Sequence, residues 1–170
     1  FCMAKKFKTL FFVKSSLITL YFALTLPIPF ISVQELKIIS FIAFVLGLFL
    51  IVNITSDYVE TSRDKISYKT TSVSRFIGYE SWEVYWKDIK LIKSSPTSQG
   101  SKVFYFITVA NQKFLVPQRV ENFEEFLSLI QEKTGIKTEG LKYISPLWTY
   151  KLLTLLSILM IIGEIISFSF

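Results

Sequence analysis

The sequence predicts a protein that combines three membrane-spanning helices with one small antiparallel β domain. Its apolar residues gather into three runs, Ser15–Ser32, Lys37–Ile54 and Leu147–Phe170. Each run is close to the roughly 20 residues that a helix needs to cross a bilayer core. Between the second and third runs, the polar insert of residues 55–146 alternates apolar and polar residues, as half-buried strands do. The hydrophobic fraction of 51% in 170 residues is therefore concentrated rather than spread.

The first two runs are expected to form an antiparallel helical hairpin, since only a short Val-Gln-Glu-Leu link separates them. Pro27 and Pro29 lie late in the first run, where the missing N–H should kink or end the helix. A basic start and an apolar centre also fit a signal peptide, but no small-residue cleavage site follows. The third run opens with Trp148, Tyr150 and Lys151, which favour the level of the lipid headgroups.

The distribution of charge predicts an orientation. Of the net charge of +6, four positive charges precede the first run, whereas the polar insert holds 13 basic and 11 acidic residues. Basic residues that flank spanning helices favour the cytoplasmic side. We therefore expect the basic N-terminus, residues 1–14, and the polar insert to share the cytoplasmic side of the membrane. The four lysines are Lys5, Lys6, Lys8 and Lys14.

The polar insert is predicted to form a meander of about five strands and one helix. The segment Asn122–Gly135 has apolar residues at helical spacing, acids in its first turn and a glycine at its end. Packed on the sheet, this helix would close its open end. The predicted divisions are 1–14, a hairpin at 15–54, the β domain at 55–140 and a third span at 141–170. The predicted strands are Lys65–Thr70, Glu80–Trp86, Asp88–Lys93, Lys102–Val109 and Lys113–Pro117, with a turn at Ser94–Ser101.

Three segments of the insert carry a family resemblance. They read Arg63-Asp-Lys-Ile-Ser-Tyr, Trp86-Lys-Asp-Ile-Lys-Leu-Ile and Val116-Pro-Gln-Arg-Val-Glu-Asn-Phe-Glu-Glu-Phe-Leu. With the preceding hairpin, residues 57–136 resemble the bacterial pleckstrin-homology-like (PH-like) domain of small membrane proteins. The resemblance implies an antiparallel sheet or barrel closed by one C-terminal helix, without a fixed catalytic motif. The hairpin followed by a β domain is also similar to a photosystem I assembly protein of chloroplasts and cyanobacteria.

The residue types offer little for catalysis. The chain has no histidine, which is the commonest general base and metal ligand, and Cys2 is its single cysteine. No glycine-rich phosphate loop is present. The neighbouring acids Glu80 and Glu83, like Glu124 and Glu125, are expected to be exposed rather than held in a dry pocket. We expect no enzyme activity, no metal, no evident cofactor and no nucleic-acid partner.

Four lysines are candidates for contacts with lipid headgroups: Lys65, Lys69, Lys87 and Lys90. Lysines near a membrane surface are attracted to anionic lipid by about 1 kcal/mol each. The alternative is a solvated edge, because a spacing of three residues alternates between the faces of a strand. Binding of the polar insert to anionic liposomes would distinguish the two.

Aromatic residues are candidates for docking another membrane protein. Trp82 and Trp86 are expected on one face of a strand, where they either fill the core or form a docking surface. Phe41 and Phe44 lie in the second run, where they would pack against another membrane protein or against pigment or lipid tails.

Glu164 is the remaining candidate, because a carboxylate inside a membrane span is costly and implies a partner. If the third helix ends near Ile162, Glu164 is instead interfacial. Few charges in the spans argue against a transporter or channel. The expected function is an accessory subunit or assembly factor of an integral membrane complex, with a photosystem-type complex as one candidate. The alternative is a lipid- or ligand-sensing module that acts alone.

Overall fold

The computed structural model describes residues 4–98 and 100–169, so Cys2 and Phe170 lie outside the described residues. The chain divides into two compact units. The first, here called the β module, contains the residues up to Leu10 together with Ser56–Ser145. The second, here called the helical unit, contains Phe11–Thr55 and the chain from Pro146 onward.

The first strand of the β module precedes the first apolar helix in the chain. Strand β1, Lys5–Lys8, pairs antiparallel with β2, Tyr58–Thr61, and places Phe7 opposite Val59. From the sequence, these lysines are expected only as part of a basic N-terminus, and no strand is predicted there. The strand forms because Phe7 is buried and its ring lies 5.2 Å from that of Phe126.

Among the described residues, the β module has seven strands in two antiparallel sheets, where the sequence predicts about five in one meander. The four-stranded sheet has the order β1-β2-β3-β4, and the three-stranded sheet has the order β5-β6-β7. The remaining strands are β3 Lys65–Lys69, β4 Trp82–Tyr85, β5 Ile89–Pro96, β6 Lys102–Thr108 and β7 Lys113–Leu115. The turn predicted at Ser94–Ser101 begins too early, because β5 continues through Ser94 and pairs Pro96 with Lys102.

Two helices belong to the β module. The short helix α4, Ser72–Phe76, is not predicted from the sequence. Helix α5, Phe123–Thr134, is predicted, and it ends at Gly135 with a φ of +72°, which a glycine adopts without strain. Its apolar stripe, including Phe126, is buried in the common core with residues of both sheets.

Within the part of the chain that the structure describes, the helical unit contains three stretches long and apolar enough to cross a membrane: Phe11–Ile31, Gln34–Ile54 and Leu147–Ser169. The first stretch breaks between Thr25 and Ile28, and this confirms the predicted effect of its prolines. The helices of the helical unit are α1 Phe11–Thr25, α2 Ile28–Ile31, α3 Lys37–Ile54 and α6 Leu147–Ser169. A 3-10 turn at Gln34–Leu36 precedes α3.

Helix α1 packs against both α3 and α6. The Nζ atom of Lys151 lies 5.0 Å from the centre of the Phe12 ring, near the starts of α6 and α1. Beyond the end of α1, the ring of Phe30 in α2 lies 6.0 Å from the ring of Phe168, near the end of α6. Helices α1 and α6 are therefore parallel. Small residues let apolar helices approach closely. The small side chains buried in this unit are Ser16, Ala23 and Ser157.

Candidate functional site

A cleft of about 690 Å³ lies in the β module, lined by β4 with the turn before it and by β7 with the segment after it. Its wall is aromatic. The Trp82 ring stacks on Tyr68 with 6.0 Å between centroids and lies 5.5 Å from Phe114. Such a wall suits a ligand with a planar or aliphatic body.

The segment after β7 places a basic residue on the cleft. Gln118 is buried, and its Nε2 donates to the carbonyl oxygens of Lys102 (3.1 Å) and Lys142 (2.8 Å), which fixes this segment. Its neighbour Arg119 is exposed and forms no ion pair within the described residues. An anionic group in the cleft would therefore meet an available guanidinium. The charged residues that line the cleft are Asp57, Glu80, Glu83, Lys113 and Arg119.

Asp57 is a buried carboxylate that joins β2 to the elements beside the cleft. Its Oδ1 accepts hydrogen bonds from the Thr71 N–H and the Ser74 hydroxyl, each at 2.9 Å. Its Oδ2 accepts one from the Tyr68 hydroxyl at 3.2 Å. Three donors from three positions satisfy a group that would otherwise destabilise the fold when buried.

Burial and the contact with Asp57 together favour the protonated form of Tyr68 in the cleft wall. Burial raises the pKa of the Tyr68 phenol well above its usual range, and the negative charge and hydrogen bond of Asp57 raise this pKa further. Tyr68 therefore stays a neutral donor at physiological pH.

The structure places Lys65 and Lys69 around one carboxylate. The Nζ atom of Lys65 lies 2.8 Å from Glu83, whose other oxygen lies 3.9 Å from Lys69 and 3.1 Å from the Ser67 hydroxyl. The hydrogen bond from Lys65 lowers the pKa of the Glu83 carboxyl and raises that of the Lys65 ammonium. The positive charge that these lysines offer to lipid is thus partly countered within the module.

The other two candidate lysines lie elsewhere in the module. Lys87 is in the 3-10 turn Trp86–Asp88, with its Nζ 5.7 Å from the centre of the Tyr85 ring, and Lys90 is exposed on β5. The four lysines are therefore distributed over both sheets and the turn between them. This placement favours the solvated-edge interpretation over a single headgroup site.

The two candidate tryptophans contribute to the interior of the β module. Trp86 is 4% exposed, and its Nε1 donates to the carbonyl oxygen of Ser62 at 3.1 Å. Trp82 is half-buried in the cleft wall. Because the Trp86 ring is enclosed and its donor is satisfied internally, burial favours core filling over docking for this residue.

In the helical unit, Phe44 packs within the hairpin. Its ring lies 5.6 Å from Tyr21 and 5.5 Å from Phe22, and the Tyr21 hydroxyl donates to its carbonyl oxygen at 2.6 Å. A Cβ atom at Gly47 would collide with that hydroxyl, so glycine permits the close approach. Phe41 is 59% exposed and lines an apolar groove of about 430 Å³ near the hairpin turn.

Glu164 lies inside α6, because the helix continues past Ile162 to Ser169. The interfacial interpretation depended on an earlier helix end, and that premise is wrong. The Oε2 atom of Glu164 is buried and has no hydrogen-bond partner among the described residues. In a helix of this composition, such a carboxylate marks a place where a donor from elsewhere would be favourable.

The sequence analysis missed the cleft and Asp57. The aromatic wall comes from three strands, and alternation places Tyr68 and Trp82 on strand faces without saying which faces meet. The one available signal was the Pro-Gln-Arg stretch, which contributed only to the resemblance. Among the described residues, no group of three metal-ligating side chains occurs.

Comparison with known proteins gives one informative likeness. The chain is 29% identical over 155 residues to the uncharacterized protein slr0269 of Synechocystis sp. (strain ATCC 27184 / PCC 6803 / Kazusa). The matched region is 87% of this chain and 77% of that protein. No family model matches the chain, and no solved structure matches it. The chain is thus similar, over most of its length, to a Synechocystis protein whose name assigns it no activity.

Proposed function

We propose that this protein is a non-enzymatic integral membrane protein that binds a larger membrane protein complex, as an accessory subunit or assembly factor. The observation that carries the proposal is the Oε2 atom of Glu164, which is buried in an apolar helix and has no hydrogen-bond partner among the described residues. A partner that supplies a hydrogen-bond donor at this depth would remove the cost of the orphan carboxylate. The apolar helix α3, which has no buried residue, offers further surface to protein, pigment or lipid tails.

The proposal includes a PH-like β module. Sheets of four and three antiparallel strands, followed by the single helix α5, support this assignment. The resemblance of residues 57–136 to the PH-like family points the same way. The similarity to a photosystem I assembly protein and the Synechocystis relative are the reasons for naming a photosynthetic complex as a candidate partner.

In the proposed topology, the stretches Phe11–Ile31 and Gln34–Ile54 cross the membrane as a hairpin, and α6 crosses it once. Strand β1 precedes the hairpin and β2 follows it, and their pairing requires both to be on one side of the membrane. The basic residues favour the cytoplasm or stroma for that side, and the proposal includes a bacterial inner membrane or a thylakoid as the location of the protein.

Substitution of Glu164 tests the proposed interaction. In mild detergent, the full-length protein is expected to migrate in a discrete, stoichiometric complex, and Glu164→Leu should dissociate it. Thr154→Val is the matched control, because the Thr154 hydroxyl is already satisfied by the carbonyl oxygen of Tyr150 at 2.9 Å. A protein that runs alone, or a complex that Glu164→Leu leaves intact, would contradict this role.

The alternative is a lipid- or ligand-sensing module, and the aromatic cleft with Arg119 favours it specifically. Short-chain phosphatidylglycerol titrated onto the full protein should then change tryptophan fluorescence through Trp82. Arg119→Ala should weaken this binding at least tenfold, while Arg63→Ala, another exposed arginine, should leave it unchanged. Equal binding by both variants would exclude the cleft as the site.

A further inference from the structure

Two consecutive apolar side chains are exposed at the end of α4. Phe76 is 94% exposed and Ile77 is 51% exposed, and Tyr79 two residues later is 55% exposed. Arg75, which precedes them, is also exposed. We call residues 75–79 the aromatic loop. Single exposed apolar residues are ordinary, but a cluster beside a cation is typical of an interaction surface.

The aromatic loop is held in a defined conformation. The Thr71 side chain caps α4 by accepting the Ser74 N–H at 3.2 Å. At the other end, the Gly78 N–H donates to the carbonyl oxygen of Arg75 at 3.1 Å, and the Tyr79 N–H donates to that of Ser74 at 3.0 Å. The exposure of Phe76 is therefore imposed by the backbone and is not the result of a loose segment.

Chain connectivity limits how far this loop lies from the end of α3. Asp57 accepts hydrogen bonds from Thr71 and Ser74, at the start of α4. Asp57 is also the third residue after Ile54, the last residue of α3. Three residues reach at most about 11 Å. The base of the aromatic loop is thus tied to a residue within this distance of the point where the chain leaves the proposed span.

We propose that Phe76 and Ile77 insert into the headgroup and acyl-chain boundary of the membrane that α3 crosses, with Arg75 at the lipid phosphates. This inference depends on the proposed membrane insertion of the helices. Aromatic and aliphatic side chains next to a cation are the composition that prefers this boundary. Two charged groups near the loop leave this preference intact: Asp57 is buried and hydrogen-bonded, and Glu80 lies after the aromatic residues. The same short tether makes the bilayer surface more accessible to the loop than a soluble partner.

The test uses the full protein with Cys2 replaced by serine and single cysteines carrying a fluorescent label. Phe76→Cys reports on the aromatic loop. Leu156→Cys, at an exposed position in α6, reports on membrane insertion itself. Val109→Cys, 72% exposed in the turn between β6 and β7, is the matched control on the module. Each protein is placed in phosphatidylcholine–phosphatidylglycerol nanodiscs, with and without brominated acyl chains.

Brominated lipid should remove most of the fluorescence at positions 76 and 156 and leave that at position 109 unchanged. If position 156 is quenched and position 76 is not, the inference about the loop fails while membrane insertion stands. If position 156 is not quenched, the proposed membrane function fails. Equal quenching at 76 and 109 would also overturn the inference, because the loop would then have no special place at the bilayer. Ile77→Cys replaces Phe76→Cys if that variant does not fold.

Discussion

At the scale of single residues, Asp57 connects the cleft wall to the base of the aromatic loop. The residue is 7% exposed, and its carboxylate receives three donors, one of which is the Tyr68 hydroxyl in the cleft wall. A buried carboxylate is tolerated only where such donors replace water. Because these donors lie on β3 and at the start of α4, one acidic residue fixes both the cleft wall and the base of the aromatic loop.

The Asp57–Tyr68 contact predicts a dependence of stability on alkaline pH. Burial, the charge of Asp57 and the hydrogen bond between Tyr68 and Asp57 all raise the pKa of Tyr68 in the folded protein above the ordinary value of 10.0. The stability from this protonated phenol is fully present below pH 10.0. It is lost as the pH rises toward the folded pKa, because the unfolded state ionises first. Tyrosinate absorbance should show a late ionisation whose amplitude Tyr68→Phe reduces.

Tyr143 provides an internal comparison for this measurement, since burial raises its pKa as well. The late step should therefore shrink in Tyr68→Phe without disappearing altogether. If Tyr68→Phe removed amplitude near the ordinary pKa of 10.0 and left the late step unchanged, the Tyr68 phenol would ionise normally and its contact with Asp57 would be absent in solution.

At the scale of elements, β1 is predicted to be essential to the β module. Phe7 is 2% exposed and packs on Phe126 of α5. Phe7→Ala should lower the free energy of unfolding by about 3–5 kcal/mol, as expected for a buried phenylalanine that leaves a cavity. Urea unfolding in detergent, followed by tryptophan fluorescence, measures the change.

Lys6→Ala is the control on the neighbouring position of β1. The Lys6 side chain is exposed, with its Nζ 4.0 Å from Glu60, and its removal should cost less than about 1 kcal/mol. If Phe7→Ala and Lys6→Ala were equally mild, β1 would not belong to the folded module.

The elements that the sequence predicts well are those with long, local patterns. Helix α5 has a full apolar stripe and a terminal glycine, and its predicted limits differ from the observed ones by one residue at each end. Strand β6 is a seven-residue segment rich in β-branched and aromatic residues, and it is predicted within one residue. Strand β1, by contrast, has only four residues and one inward apolar side chain, and its stability comes from Val59, far along the chain.

The candidate sites were less predictable for the same reason. The cleft depends on the pairing of β3 with β4 and on the contact of Phe114 with Trp82. Neither contact can be predicted from the local sequence pattern. Glu164 was visible as a charge in an apolar run, but its position inside the helix depended on where α6 ends. The candidate lysines are divided between the two sheets and the turn between them, a distribution that their spacing in the sequence does not reveal.

At the scale of the whole molecule, the helical hairpin is an insertion into the β module. The module cannot form until the chain has passed through α1, α2 and α3 and returned to pair β2 with β1. In the proposed membrane topology, this order couples the two units during folding, because β2 can pair with β1 only after the hairpin has returned the chain to the side where it began. The pairing of β1 with β2 thus constrains the proposed topology independently of the lysines.

This constraint predicts opposite sides for the hairpin turn and the β module. Glu35 is exposed in the 3-10 turn between α2 and α3, and Val109 is exposed in the β module. With Cys2 replaced by serine, Glu35→Cys and Val109→Cys should react with a membrane-impermeant maleimide from opposite faces of sealed vesicles. Detergent should make both thiols reactive, which controls for burial. Reaction of both from the same face would mean that the first two helices do not cross, although β1 and β2 still pair.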